Sequence, residues 1–493
     1  MGSKWRESVL GELLQGGHAT LQTGPFGTAL KADEYTPTGV PLISVREIRE
    51  GYFQIEEATP KVDQSVISRL PKFVLKKGDI VFARKGGIER NSLVTATEDG
   101  WFLGSDGIFL RFREGNDSRF FSYVMRSDLV RLWLLKNCEG TTMPSLNQKI
   151  LARIPIYLPP LKEQTKIANW LSILDKKITL NRQINQTLEQ MAQALFKSWF
   201  VDFDPVVDNA LDAGFFEQNL GFPDELLRRA EARKAVRESV DFKPLPEDIR
   251  QLFPAAFEEC SEPSLGLGGW VPEGWVYDCF SELLSSTIGG DWGKDSQDEK
   301  HTTQSRIVRG TDIPDLISGQ LSNAPLRWVD PKKLQSRQIE AGDIIIEVSG
   351  GSPTQSTGRS IFMTQSMLNR LGGVVEPASF CRRFKPKSFC LGILASLHLQ
   401  AIYSDGKMWE YQNQSTGIAN FQTKFFLEAE RVLMPSDKVL ENFCQIVTPL
   451  IEKSQNSEQV ALAKLRDTLL PKLISGELCI GDSEVDTADE VLA

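Results

Sequence analysis

Three short motifs contain residue types that could perform catalysis. Pro314-Asp315 and Asp330-Pro-Lys332 together supply the two carboxylates and the lysine that surround a divalent metal in one class of nuclease. The proline within the second motif would interrupt the strand that should carry it, which argues against this chemistry. Phe203-Asp-Pro-Val206 approaches the Asn/Asp-Pro-Pro-aromatic motif of amine methyltransferases but lacks the second proline and the aromatic residue. Residues 351–360 resemble a phosphate-binding loop, but they contain no lysine and their glycines are too far apart.

Histidine and cysteine side chains could bind a metal only if they were grouped. The three histidines, His18, His301 and His398, are far apart in the sequence, and the seven cysteines form no CxxC pair. The odd cysteine count argues against a disulfide framework, so the cysteines are predicted to be free thiols in a reducing compartment. The sequence therefore favours a binding protein over an enzyme.

The elements that would position a binding site occur twice along the chain. Four segments recur in the same order: 42–48, 78–82, 140–146 and 154–159 are echoed by 307–313, 342–346, 415–421 and 430–435. In the second segment of each set, a Gly-Asp pair precedes a run of β-branched residues, which predicts a turn followed by a strand. The chain is therefore predicted to contain the same domain twice.

A long segment follows each copy of the repeat, and the first of the two contains neither glycine nor proline. In the first, apolar residues and two asparagines alternate at spacings of four and three over more than four heptads, which predicts the seam of a coiled coil. The predicted seam residues are Ile167, Leu171, Leu174, Ile178, Asn181, Asn185, Leu188, Ala192, Leu195 and Trp199. The second segment repeats the pattern more loosely, through Phe443, Val447 and Leu450 and then Leu465 and Leu469.

A helix of about forty residues spans ~60 Å, which a neighbouring domain of this size cannot cover. The two seams are therefore predicted to pair with each other as an antiparallel coiled coil. The predicted segments are a first domain (1–160), a first long helix (161–200), a linker (201–268), a second domain (269–436), a second long helix (437–476) and a tail (477–493).

The net charge of −9 is concentrated outside the repeated segments. Residues 201–269 carry 7 basic and 15 acidic residues, and the last eighteen carry six acids and no base. The linker is predicted to be irregular apart from one short helix near 223–240, and the tail to be disordered. The remaining chain is close to neutral, so the acidic total does not exclude a nucleic-acid partner. Because no apolar run is long enough to span a bilayer, a soluble, cytoplasmic protein without a membrane partner is expected.

Four motifs resemble those of one family, the specificity subunits of type I restriction–modification systems. Leu158-Pro-Pro-Leu-Lys-Glu-Gln164 opens the first long helix, and Ala194-Leu-Phe-Lys-Ser-Trp-Phe-Val-Asp-Phe-Asp-Pro205 closes it. Gly269-Trp-Val-Pro-Glu-Gly-Trp275 opens the second repeat, and Leu469-Leu-Pro-Lys-Leu-Ile-Ser-Gly-Glu-Leu478 closes the second helix. The resemblance extends over residues 4–480 and includes the order of the repeats.

The resemblance implies an α+β fold with two target recognition domains, each of which reads one half of a split site on double-stranded DNA. The paired helices would set the gap between the half-sites. The subunit itself would bind no cofactor and perform no catalysis. It would dock two modification subunits, which use S-adenosylmethionine to methylate adenine, and restriction subunits, which use ATP and Mg²⁺ to translocate and cut DNA.

Candidate DNA contacts are polar or basic side chains in two pairs of corresponding loops, because these side chains bind phosphates and base edges. In the first repeat they are Arg84, Lys85, Arg90, Asn91, Ser145, Asn147 and Lys149. In the second repeat they are Ser352, Gln355, Arg359, Asn420, Gln422 and Lys424.

Three alternatives to a type I specificity subunit remain open at the level of sequence. The chain could be the specificity subunit of a type IIB-like enzyme, whose partner fuses nuclease and methylase. It could also be a two-domain DNA-binding scaffold without methylase partners. A nuclease that uses Asp315, Asp330 and Lys332 is the third alternative.

Overall fold

The computed structural model describes residues 5–140, 143–218, 220–319, 323–350, 355–415, 418–456 and 458–481. By their contacts, the residues form two compact units. Unit 1 consists of Met1–Ile178 and Ala461–Ala493, and unit 2 consists of Thr179–Val460. Each unit contains one copy of the predicted repeat. Most of the predicted acidic tail, residues 482–493, lies outside the described residues.

Unit 1 combines short helices with three small sheets. Its elements are β1 (Arg6–Val9), α1 (Leu10–Gln15), β2 (Ala19–Thr23), β3 (Val40–Ile43), β4 (Lys61–Val62), α2 (Gln64–Arg69), β5 (Ile80–Ala83), β6 (Asn91–Leu93), β7 (Phe102–Leu103), β8 (Gly107–Phe112), α3 (Ser118–Arg126), α4 (Asp128–Asn137), α5 (Gln148–Ala152), β9 (Pro155–Leu158) and the first part of α6 (Leu161–Phe200).

Unit 2 contains the rest of α6 and a second set of helices and strands. They are α7 (Asp204–Asp212), α8 (Asp224–Arg237), α9 (Glu247–Arg250), β10 (Phe257–Glu259), β11 (Trp270–Pro272), β12 (Val276–Cys279), β13 (Leu284–Gly289), β14 (Thr303–Val308), α10 (Ile313–Ile317), β15 (Leu326–Val329), α11 (Pro331–Arg337), β16 (Ile344–Glu347), β17 (Ser349–Gly350), β18 (Ser360–Phe362), α12 (Gln365–Leu371), β19 (Val375–Pro377), β20 (Cys381–Pro386), α13 (Phe389–Ser404), β21 (Gln412–Ser415), β22 (Ile418–Phe421), α14 (Thr423–Ala429), β23 (Arg431–Met434) and α15 (Asp437–Ser454). The last helix, α16 (Glu458–Ser475), belongs to unit 1 from Ala461 onward.

The two units share one sheet topology. In unit 1 a four-stranded sheet has the order β2-β8-β5-β6, and in unit 2 the order is β13-β20-β16-β18. A three-stranded sheet, β4-β3-β7, corresponds to β15-β14-β19, and in each the middle strand is antiparallel to one neighbour and parallel to the other. The pair β1-β9 corresponds to β12-β23. This correspondence confirms the repeat and the α+β class predicted from the sequence.

The Gly-Asp pairs form the same turn in both copies. Gly78 has a φ of 94° and Gly342 a φ of 97°, a region that residues with a Cβ rarely adopt. The Asp79 carboxylate accepts a hydrogen bond from the Lys76 amide at 2.8 Å, and Asp343 accepts one from Glu340 at the same distance. Each turn leads directly into a fully buried strand, β5 or β16, at the centre of the four-stranded sheet.

In unit 1, the first part of α6 packs between the domain and α16. Ile167 and Leu171 are buried in one hydrophobic core with Leu473 and Ile474 of α16. The motif residue Gln164 is 3% exposed and joins the start of the helix to the domain. Its side-chain amide donates to the Pro159 carbonyl at 3.0 Å and accepts from the Asp117 amide at 2.9 Å. The Pro-Pro-Leu-Lys-Glu-Gln motif therefore fixes the position of α6 on the domain.

In unit 2, the second part of α6 packs against α15. The Phe443 ring lies 5.6 Å from that of Trp199 and 4.7 Å from that of Phe200, measured between centroids. The start of α6 thus contacts α16, whereas its end contacts α15, so α6 meets the two helices in antiparallel order, as predicted. The structure buries the predicted seam residues Ile167, Leu171, Leu174, Ile178, Phe443 and Val447, and half-buries Leu188, Leu195, Leu450 and Leu469.

The single helix predicted over 437–476 is two helices in the structure. Between them, Gln455 bonds with the domain: its side chain accepts from Thr364 Oγ1 at 2.7 Å and donates to the Phe362 carbonyl at 3.3 Å. Gln459 donates to the Ser318 carbonyl at 2.7 Å. These polar contacts compete with a straight helix, and they explain why the apolar pattern is irregular there.

The prediction of Leu465 as a seam residue is wrong. Leu465 is 45% exposed, and the neighbouring Arg466 takes the inward position. Arg466 donates to Asp175 of α6 at 2.7 Å, and the same carboxylate accepts from the Tyr123 hydroxyl at 2.8 Å. The seam of α16 in unit 1 is therefore an ion pair followed by Leu470, Leu473 and Ile474.

The segment predicted as an irregular linker is folded. α8 corresponds to the predicted short helix, but α7 and several aromatic residues form a core with it. Arg233 makes a bidentate pair with Asp208 at 2.9 and 2.7 Å, and Arg237 pairs with Asp212 at 2.6 Å. Ion pairs between α7 and α8 thus neutralise part of the acidic charge of this segment. No helix within the described residues is long and apolar enough to cross a bilayer.

Candidate nucleic-acid interface

The two candidate loops of the first repeat meet at one place in unit 1. The Arg84 amide donates to the Asp106 carbonyl at 2.8 Å, and the Leu146 amide donates to the Arg84 carbonyl at 2.8 Å. Lys85 and Ser145 face each other in an isolated β-bridge. The loop that follows β5 is therefore held between the turn before β8 and the segment before α5. We call this meeting point the junction of the first domain.

The same backbone pattern occurs in unit 2. The Val348 amide donates to the Phe380 carbonyl at 2.8 Å, and the Phe421 amide donates to the Val348 carbonyl at 2.9 Å. Ser349 pairs with Asn420 between β17 and β22. Val348, Phe380, Ser349 and Asn420 form the junction of the second domain, and they correspond in register to Arg84, Asp106, Lys85 and Ser145.

Basic side chains dominate the junction of the first domain. The Arg84 guanidinium lies over the Phe26 ring, 4.4 Å from its centroid, and its Nη1 donates to the Ser105 carbonyl at 3.3 Å. Lys85 is exposed, and its ammonium lies 3.4 Å from the Asp106 carboxylate. Because Lys85 is exposed and Asp106 is about one-third exposed, solvent screens this pair, and the lysine is available to a phosphate.

The other candidate residues of the first repeat differ in how free their side chains are to contact DNA. Lys149 is exposed on α5, and Arg90 is half-buried. Asn147 caps α5, accepting from the Ile150 amide at 2.9 Å, while its amide donates to Glu139 at 3.0 Å. Ser145 donates to the Glu139 carbonyl at 3.2 Å. Ser145 and Asn147 thus shape the loop, and Lys149 remains a predicted phosphate contact.

The prediction of Asn91 as a DNA contact is corrected by its burial. Asn91 lies in β6, is fully buried, and donates to the Met125 carbonyl at 3.1 Å. It satisfies a carbonyl at the end of α3 and cannot reach a ligand without unfolding the strand. The turn residues before it, Arg84 and Lys85, keep their side chains at the surface.

The candidates of the second repeat are mostly uncharged. Asn420 is exposed and accepts from Ser349 Oγ at 3.0 Å, and Gln355 is exposed and donates to the Tyr403 hydroxyl at 3.3 Å. Gln422 donates to Asn413 at 2.9 Å, and Lys424 is exposed on α14. Ser352 lies outside the described residues.

Arg359 has a structural role in place of the predicted DNA contact. Its Nε and Nη2 donate to Glu347 at 2.9 and 2.7 Å, and Glu347 is only 3% exposed. The hydrogen bond from the guanidinium to this carboxylate raises the pKa of Arg359. Both Nε and Nη2 are engaged inside the fold, so Arg359 is no longer a candidate DNA contact.

The residues of the nuclease alternative do not assemble into a site. Asp330 caps α11 and accepts from the Lys332 amide at 3.0 Å, with Pro331 in the first helical turn. Asp315 belongs to α10. Across the described ranges, no group of three or more His, Cys, Asp or Glu side chains could hold a metal ion. The motif is therefore a helix cap, in which aspartate and proline are common for reasons unrelated to catalysis.

Two exposed aromatic residues at the junctions are not among the candidates predicted from the sequence. Phe26 is 53% exposed and Phe380 is 66% exposed. Neither belongs to a polar motif, so a search for hydrogen-bonding side chains could not find them. A detectable signal is positional: Phe26 follows β2, an edge strand of the four-stranded sheet of unit 1, and Phe380 directly precedes β20, an inner strand of the corresponding sheet of unit 2.

Comparisons with known proteins agree with this arrangement. The family model described as "Type I restriction modification DNA specificity domain" matches residues 4–190. The HindI specificity subunit of Haemophilus influenzae is 24% identical over 442 residues, covering 83% of this chain and 88% of the relative. The MjaIX specificity subunit of Methanocaldococcus jannaschii is 23% identical over 461 residues, covering 91% and 89%.

Among solved structures, the S subunit of a type I restriction–modification system from M. genitalium is 14% identical, with 96% of both chains covered and a TM-score of 0.49. The family model matches the first repeat, and both curated relatives align over most of their length. Residues 4–190 therefore match the type I restriction–modification DNA specificity domain, and the chain as a whole is similar to the specificity subunits of type I restriction enzymes.

Proposed function

We propose that the chain reads a bipartite, asymmetric site on double-stranded DNA, with one half-site for each domain. The observation that carries this proposal is the pair of junctions, which share a hydrogen-bond register but differ in their side chains. The same backbone would bring each junction to its half-site in the same way. Different side chains on equal frames would then select different bases, so the two half-sites need not be related by symmetry.

Binding to the DNA backbone would come from exposed lysines. Lys85 and Lys149 in the first domain and Lys424 in the second are exposed at or near the candidate loops. Each lysine that neutralises a phosphate releases a counterion, so affinity should fall steeply as salt rises. These contacts hold the protein on the duplex without selecting a sequence.

Specificity subunits of type I systems are non-catalytic, and this chain is such a subunit. Its partners are proposed to be two modification subunits and a set of restriction subunits. S-adenosylmethionine, ATP and Mg²⁺ would be bound by those partners, with the chain itself holding none of them. The folded segment built from α7 and α8 and the exposed faces of the long helices are proposed as docking surfaces.

Methylation of the host genome tests this proposal directly. Cells that express the chain with a modification subunit encoded beside it are compared with cells that express the modification subunit alone. A split motif with methylated adenine, present only when both proteins are made, is the expected result. If the two proteins copurify and no new motif appears, the proposed reading of a bipartite site is wrong.

The alternatives give different outcomes in the same experiment. A type IIB-like system would produce the split motif, but the copurifying partner would carry both nuclease and methylase activity in one polypeptide. A partnerless scaffold would neither copurify with a modification subunit nor gain DNA affinity when one is added.

A further inference from the structure

The two junctions present different chemistry at equivalent positions. The hydrogen-bond register matches Arg84 with Val348 and Asp106 with Phe380. A guanidinium and a carboxylate in the first domain are thus replaced by two apolar side chains in the second. Because the two frames are the same, corresponding places on the two half-sites would meet these different groups.

Arg84 is held in an orientation suited to guanine. Stacking on Phe26 fixes the plane of the guanidinium, and the bond from Nη1 to Ser105 fixes its rotation within that plane. Among the described residues, Nε and Nη2 have no acceptor, and these two atoms form one edge of the guanidinium. Two parallel donors on one edge match the O6 and N7 acceptors of guanine in the major groove.

Asp106 supplies a second complementary group in the first domain. Its carboxylate lies next to Lys85 and is about one-third exposed. A carboxylate can accept a hydrogen bond from the exocyclic amine of cytosine, the partner of guanine. The Arg84 and Asp106 pair therefore matches both members of a G·C pair and mismatches an A·T pair.

The junction of the second domain matches an A·T pair. The Asn420 Oδ1 atom accepts a hydrogen bond from Ser349 Oγ at 3.0 Å, and no described residue accepts one from its amide hydrogens. An asparagine amide can donate to N7 of adenine while its oxygen accepts from N6. The exposed Phe380 ring offers an apolar contact of the kind that the thymine methyl group prefers.

We propose, building on the proposed function, that the two domains read opposite base-pair types at corresponding positions. The first domain reads a G·C pair through Arg84, positioned by Phe26. The second domain reads an A·T pair through Asn420 and Phe380. Asymmetry of the recognised site follows from this exchange of charged for apolar side chains.

Selection from a random-sequence duplex DNA library tests the assignment. The full chain in complex with its modification subunit is used, and the enriched sequences give both half-sites. Arg84→Ala should reduce the preference for guanine at one position of one half-site from at least ~10-fold to nearly none. Phe380→Ala and Asn420→Ala should relax one A·T position in the other half-site. Each variant serves as the control for the other half.

Phe26 is a positioning residue, and its test separates orientation from folding. Phe26→Ala should weaken the guanine preference while leaving affinity for non-specific duplex unchanged, and Phe26→Tyr should restore the preference. Tyr35→Ala removes another exposed aromatic side chain of unit 1 and should leave both half-sites unchanged.

The outcomes distinguish this inference from the proposed function. If the wild-type complex enriches no split sequence, the proposed function fails and takes the inference with it. If a split sequence is enriched but neither half loses a guanine preference with Arg84→Ala, the inference alone is overturned. The same holds if Arg84→Ala and Phe380→Ala alter the same half-site.

Discussion

Side chains that could contact DNA are often used to hold the protein together. Asn91 and Arg359 have the residue types of base contacts, yet each satisfies a buried partner inside its own domain. Arg84 differs from them in the group that holds its side chain. Arg84 lies over a ring, which orients its guanidinium without occupying all of its donors.

A buried carboxyl in unit 2 provides a pH test of the fold. Glu376 in β19 is 1% exposed, and its Oε1 has no partner among the described residues. Burial, together with the charge of Asp291, raises the pKa of Glu376 to about 7, against the opposing charges of Arg337 and Lys333. The folded state therefore holds a proton that the unfolded state releases near 4.5.

Glu376→Gln should stabilise the protein at pH 8 by about 1–3 kcal/mol and change its stability little at pH 5. As pH rises from 4.5 through about 7, the folded wild type must either keep the proton or bury a charge, and its stability falls. Glutamine avoids this loss. Urea unfolding at both pH values measures the difference.

Glu340→Gln is the control. A hydrogen bond from Lys385 lowers the pKa of the Glu340 carboxyl, so this substitution should give no gain in stability at high pH. An equal effect of Glu376→Gln at pH 5 and pH 8 would contradict the assignment.

At the scale of elements, polar contacts modify the long helices in both units. Asp175 of α6 accepts from Tyr123 and Arg466, so one position of the seam in unit 1 is an ion pair linked to α3. In unit 2, Gln455 and Gln459 bond to the domain at the point where α15 ends. The helices are therefore attached to their domains by specific hydrogen bonds as well as by apolar packing.

The corrected seam of α16 predicts unequal effects for two leucines on the same helix. Leu473→Ala should destabilise the protein by about 2–4 kcal/mol, because Leu473 is 1% exposed in the core of unit 1. Leu465→Ala should change stability by less than about 0.5 kcal/mol, because the side chain is 45% exposed. Both substitutions have the same helix propensity change, so thermal unfolding compares burial alone. Equal losses of stability in the two variants would show that Leu465 also lies in the seam.

At the scale of the whole molecule, one topology has been used twice with different surfaces. The sheets of the two domains have the same strand order, and the junctions have the same register. Both domains keep the same strand order and hydrogen-bond register because the buried strands and their hydrogen bonds determine stability. The exposed side chains carry no such constraint, so they can differ and select different sequences.

Under the proposed function, the paired helices set the distance between the half-sites. One extra heptad in α6 between Ile178 and Asn185, with a matching heptad in α16, adds about 10 Å of helix to both seams. The recognised gap should lengthen, by up to about three base pairs, with both half-sites unchanged. Library selection with the complex measures the new gap. A chain that folds and selects the original gap would show that the helices do not set this distance.

The sequence alone was sufficient for features that depend on local patterns. The repeat order, the Gly-Asp turns and α6 depend on neighbouring residues, and the structure contains each of them. The family motif at 158–164 lies within the residues that the family model matches. Heptad spacing correctly predicted which side of α6 is buried, because a helix converts spacing directly into direction. The pairing order followed from having one long helix after each repeat.

Tertiary structure decided which polar residues are free and which are engaged. Asn91 meets its partner 34 positions along the chain, Arg359 meets Glu347 across 12 positions, and Asp175 meets Arg466 across 291. No local pattern encodes such distances. The availability of Arg84, the exposure of Phe26 and Phe380, and the inward turn of Arg466 depend on which distant groups the fold brings within hydrogen-bonding range.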